Sequence, residues 1–107
     1  MTVIYDQAVE LCKILQKNYD RKDSGVLRYS FEITEGKKYY KIVQRDANFS
    51  GGSVHAFVDK LTGDLYKAAS WAAPAKGVRF NLGRDLEVLR EIGESTGAMW
   101  AGGYLYR

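Results

Sequence analysis

The residues best suited to chemistry in this 107-residue chain are few, and most sit between positions 55 and 81. Lys76, Arg79 and Asn81 follow Trp71 and the single proline, Pro74, within a short stretch. Two cations and an amide beside the start of a helix are the groups an anion would need, and a tryptophan beside them suits either the core edge or a protein partner. Trp71, Lys76, Arg79 and Asn81 are therefore one candidate binding site, for protein or anion. Lys76 is followed by Gly77 and not by a hydroxyl residue, so the phosphate-cradling lysine motif of nucleotide hydrolases is excluded.

A second candidate is basic and aromatic. Arg28, Tyr39, Lys41 and Arg45, with Lys37 nearby, fall on one side of a segment alternating at period two. Cations interleaved with a tyrosine ring on a sheet can hold phosphates and stack bases, which makes nucleic-acid binding the alternative reading.

The remaining reactive groups argue against an enzyme. Cys12 is the sole cysteine, so no internal disulfide or multi-cysteine metal site can form, and its place on an apolar helix stripe disfavours the thiolate that pairing with the sole histidine, His55, would need. Asp59 and Asp64 flank Lys60-Leu61-Thr62-Gly63, where aspartate serves a turn by local hydrogen bonding. No catalytic residue, metal ligand or cofactor is expected.

These groups need elements to carry them. Ile4, Ala8, Leu11, Cys12, Leu15 and Tyr19 form a stripe at helical spacing, predicting an amphipathic helix from Val3 to Tyr19 with Thr2 as its cap. Leu27, Tyr29, Phe31 and Ile33 alternate with Arg28, Ser30, Glu32 and Thr34, and Lys37 to Arg45 returns as a partner strand. A two-residue turn at Glu35-Gly36 would set Phe31 against Tyr40, Tyr29 against Ile42, Ser30 against Lys41 and Arg28 against Val43. A second hairpin joins Val54–Asp59 to Asp64–Trp71, with Gly63 at a positive φ and with His55 and Phe57 on one face. Asn81 caps a short helix over Arg84–Glu94, and Tyr104-Leu105-Tyr106 can add a terminal strand.

The order of elements predicts a single α+β domain over 1–107. It has two layers: a four-stranded antiparallel sheet from two consecutive hairpins, and both helices on one face.

Composition narrows the function further. The net charge of +3 is uneven: residues 26–80 hold nine cations and five anions, while the flanking helices are neutral or acidic. Eight tyrosines favour half-buried interaction surfaces. No run of about 18 apolar residues is present, and the opening segment lacks a basic start, so neither a membrane helix nor a signal peptide is expected. A reducing cytoplasm, and a monomer or homodimer, are the expectation.

The string VHAFVDKLTGDLYKAASWAAPAKGVRFNL, with the terminal GGYLYR, resembles a group of small tailed-bacteriophage proteins. The resemblance covers about a third of the chain and implies a phage origin. It implies a non-enzymatic accessory role in the host cell: binding a host protein or complex, inhibition of host defence included, or binding nucleic acid.

Overall fold

The computed structural model describes residues 3–22, 29–46, 52–97 and 99–106. Helix α1 (Val3–Lys22) is followed by strands β1 (Tyr29–Glu35), β2 (Tyr39–Asp46), β3 (Gly52–Asp59), β4 (Asp64–Lys67) and β5 (Phe80–Asn81), then by helix α2 (Leu82–Ser95). Two single-turn 3-10 helices, Met99–Ala101 and Gly103–Leu105, close the described chain. The sheet is antiparallel throughout, in the order β1-β2-β3-β4-β5.

The predicted stripe of α1 does bury: Ala8, Leu11, Cys12, Leu15 and Tyr19 are all inside. They meet Tyr40, Ile42, Ala56, Val58, Leu65 and Phe80 from the sheet and Leu82 and Leu89 from α2, so both helices cover one face. Burial of these side chains is what holds the two layers together. Helices α1 and α2 approach closely at Gly93, where an added Cβ would lie 2.8 Å from Ile14 Cγ2. Thr2, the expected cap of α1, lies outside the described residues.

Several expectations are corrected. The first hairpin turns at Lys37-Lys38, not Glu35-Gly36, with Gly36 N–H donating to Tyr39 O at 2.9 Å. Phe31 therefore faces Gln44, Tyr29 faces Asp46 and Ser30 faces Arg45. Alternation decides which face a residue takes, not which partner it meets, and this slip is even, so both faces survive it. Arg28 lies outside the described residues.

The sheet has five strands rather than four. Phe80 and Asn81 pair with Leu65 and Asp64, a two-residue strand too short to show a period. Strand β4 ends at Lys67, and only an isolated bridge from Ala68 to Pro74 continues it. The terminal strand expected at Tyr104–Tyr106 is instead the turn Gly103–Leu105, introduced by Gly102 at φ 89°. In the second hairpin, Gly63 takes the expected positive φ of 80°.

His55 does not share a face with Phe57. The β2–β3 register shifts between Ile42, paired with Ala56, and Val43, paired with Val54. The extra residue is His55, and this bulge turns its ring to the helix-covered side, against Phe31 and Tyr104.

One side chain of α1 guards the sheet's edge. Gly36 bonds across to Tyr39, so in β1 the even-numbered residues pair with β2 and the odd ones point their backbone groups outward. Gln16 meets two of those groups, donating to Tyr29 O at 3.0 Å and accepting from Phe31 N–H at 3.2 Å, as a neighbouring strand would. Gln16→Ala leaves both unpaired on an edge open to strand addition. It is expected to lower stability by about 1–3 kcal/mol and to promote self-association. Urea unfolding and sedimentation check both effects, and an unchanged midpoint together with an unchanged mass would refute the guarding role.

Candidate functional site: the outer sheet face

The face turned away from the helices carries the expected basic–aromatic residues. Alternation in β2 sends Tyr40 and Ile42 into the core and Tyr39 and Lys41 outward. Across the sheet, Lys41 pairs with Phe57 and Phe57 with Tyr66, giving a row over three strands. Phe57 is buried as the floor. Tyr39 stands edge-on to it at 5.7 Å and to Tyr66 at 6.0 Å. Burial, with Asp64 and Asp59 near, pushes the Tyr66 phenol above its ordinary value and keeps it protonated.

Trp71 joins this face from the loop after β4. Ala69 and Ser70 N–H both donate to Ala73 O, and Ala75 N–H donates to Lys67 O, closing residues 68–75 into a knuckle with Trp71 near its tip. The indole is 51% exposed and lies over the Lys41 ammonium, 4.8 Å from Nζ to the ring centre. Lys41 also lies 5.8 Å from the Phe57 ring. This cation–π contact holds indole and ammonium side by side, both still reachable from solvent.

A groove of about 330 Å³ runs between the Lys37-Lys38 turn and Ala72, floored by Tyr39, Lys41 and Phe57. A second depression of about 320 Å³, between the start of β3 and Ala69–Trp71, has the indole as one wall. Lys37, Lys38 and Lys41 make no ion pair among the described residues, whereas Arg45 is paired with Glu32 at 2.7 Å and Lys60 with Glu35 at 2.5 Å. The uncompensated charge of the face is therefore the lysine trio.

This arrangement decides which expected residues come together. Tyr39, Lys41 and Trp71 do, although the sequence assigns the first two and the last to separate sites. Arg45 shares the strand but is already neutralised.

The anion site expected of Lys76, Arg79 and Asn81 does not assemble. Arg79 donates from Nε to Leu105 O at 2.7 Å and from Nη1 to the carbonyls of Lys76 and Gly77, so it meets the backbone of Lys76 and acts as a strut. Asn81 Oδ1 caps α2 by accepting from Arg84 N–H at 3.2 Å, and its Nδ2 donates to Thr62 O and Asp64 Oδ1. Asp85 Oδ2 accepts from Asn81 N–H at 2.9 Å. The helix start already holds its own acceptors and two carboxylates, which leaves no electrostatic room for an anion.

A match to one family model spans residues 1–107. The chain belongs to DUF7717, a family of unknown function. No curated protein and no solved structure matches it.

Two further features of this DUF7717 chain escaped sequence reasoning. Phe57 and Tyr66 complete the outer face, and only the strand pairing reveals them. Asn18, buried in α1, donates to Gly93 O at 2.8 Å and Thr96 O at 2.6 Å and accepts from Trp100 N–H at 3.0 Å, fastening the end of α2. An amide beside an apolar helical stripe was its one visible signal. Among the described residues, no helix is long and apolar enough to cross a membrane and no group of three or more histidine, cysteine or acidic side chains is placed to hold a metal.

Proposed function

We propose that the outer sheet face binds single-stranded nucleic acid, with bases stacking on Trp71 and Tyr39 and phosphates meeting Lys37, Lys38 and Lys41. The observation that carries this reading is the half-exposed indole held over Lys41, beside lysines that no carboxylate among the described residues neutralises. Stacking accepts any base and the ammonium groups accept any phosphate, so little sequence preference is expected. The protein acts without catalysis. Burial pushes the Cys12 thiol up to about 12 and holds the His55 imidazole neutral, which removes the two most reactive groups from chemistry. The resemblance to tailed-phage proteins supports an accessory role for a phage-encoded protein in the host cytoplasm.

Titration of a labelled single-stranded oligonucleotide at several salt concentrations tests the reading. Three phosphate contacts predict a slope of log affinity against log salt of about −2. Binding that is absent, or indifferent to salt, refutes it.

Exposure of Trp71 and Val78 in the same β4–β5 connection favours a second reading, in which a host protein docks there. Capture of one partner by the native protein and its loss in Trp71→Ala, with no oligonucleotide binding, would select that reading.

A further inference from the structure

On the helix-covered side, where the two 3-10 turns wrap the bulged start of β3, lies a pocket of about 120 Å³. Its polar lining is Gln44, Ser53, His55 and Lys67, with Tyr106 at the rim, and Lys67 supplies the one charged side chain among the described residues. Among the described residues, no carboxylate lines it. The Lys67 ammonium is held 4.3 Å from the centre of the exposed Tyr106 ring and makes no ion pair among the described residues.

His55 contributes a ring nitrogen held in place. Its ring is buried, and Nε2 lies 2.8 Å from the Tyr104 hydroxyl. The direction of that bond follows the imidazole tautomer, and in one tautomer the Tyr104 O–H donates to Nε2. A neutral imidazole then carries its own proton on Nδ1. The Nδ1–Cε1 edge faces Gly102 in the pocket wall, about 3.9 Å from where a Cβ on that residue would sit, and no described residue bonds Nδ1. The β3 bulge is the device that aims this nitrogen, and bulges recur where a side chain must be re-aimed toward a site.

We propose that this pocket binds a small oxyanion, held by the Lys67 ammonium, the His55 Nδ1–H, the Ser53 hydroxyl and the Gln44 amide. A cation and neutral donors, with no opposing carboxylate among the described residues, suit a phosphate or carboxylate group, whose oxygens accept several bonds at once. The inference does not rest on the outer-face reading, because Lys67 and His55 lie on the opposite side of the sheet from Lys41 and Phe57, although Ser53 also lines the depression beside Trp71.

Amide NMR of the whole chain, titrated separately with sodium phosphate and sodium acetate at ionic strength fixed by chloride, tests it. Saturable shifts at Ser53, His55 and Gly102, with a midpoint on the order of millimolar, are expected from at least one anion. The arm that saturates identifies the oxyanion class.

Lys67→Gln is expected to weaken binding about tenfold or more, and Ser53→Ala severalfold with little risk to folding. Lys41→Gln, on the outer face, should leave it unchanged. Shifts that fail to saturate in both arms, or that persist undiminished in both pocket variants, overturn the proposal.

Discussion

Lys41→Glu is expected to cost oligonucleotide affinity tenfold or more and to flatten its salt dependence. One of three phosphate contacts is lost, so the slope should fall from about −2 to about −1.4, and the new carboxylate repels the strand as well. The same substitution removes the cation beneath Trp71, which frees the indole to leave its position over the sheet. Trp71→Ala should weaken binding by roughly 5–150-fold, the value of one base stacked on an aromatic ring, with little change in the salt slope.

The two variants thus separate the charge and the stacking contributions by different readouts. Arg45→Glu serves as the internal comparison. Arg45 is already bonded to Glu32, so its charge is largely spent and its reversal should matter much less than that of Lys41. Fluorescence anisotropy at three salt concentrations measures all three. Equal losses from Arg45→Glu and Lys41→Glu would point to a diffuse basic surface, and full affinity in Lys41→Glu would dispose of the outer-face reading.

How far the sequence foretold this surface depends on the range of the interaction that builds each part. The stripe of α1, the Asn81 cap of α2 and the outward placement of Tyr39 and Lys41 rest on spacings within one element, and each was legible. The meeting of Lys41 with Trp71 spans thirty positions and depends on two strand pairings plus a knuckled loop, none of which leaves a periodic trace.

The partners of a strand are similarly hidden. Moving the first turn from Glu35-Gly36 to Lys37-Lys38 changed every pair in β1–β2 and no face. Where one inserted residue does alter a face, as at His55, simple alternation fails outright. Polar side chains mislead for a related reason. Arg79 and Asn81 are of the type that binds anions, but both are consumed by neighbouring backbone and side-chain acceptors that composition cannot reveal. Arg45 was legible as a cation on the right face, but its neutralisation by Glu32 was not.

His55 gives the second large effect, on stability and not on binding. Its imidazole is buried, and burial lowers its pKa from 6.5 to about 4. In the unfolded chain the ring titrates near 6.5, so between pH 6.5 and 4 the unfolded state binds more protons than the folded one, and stability must rise with pH across that window. The contribution is fully present above about pH 6.5, falls as acid is added, and is exhausted below about pH 4. A shift of this size corresponds to about 3 kcal/mol.

The groups facing the ring reinforce the sign. Tyr104 is a neutral phenol, Phe31 is apolar, and Lys67 in the adjoining pocket would repel an imidazolium. His55→Phe removes the titration while keeping a ring against Phe31 and Tyr104, at the cost of leaving the Tyr104 hydroxyl without its hydrogen-bond partner, about 1–3 kcal/mol. The variant should therefore be the less stable protein at pH 7.5 and should lose less stability on acidification. Urea midpoints at pH 7.5, 6 and 4.5 would show the two stability curves converging. Parallel curves would mean that the native chain charges His55 as readily as the unfolded one does, and that the ring is not held neutral by its burial.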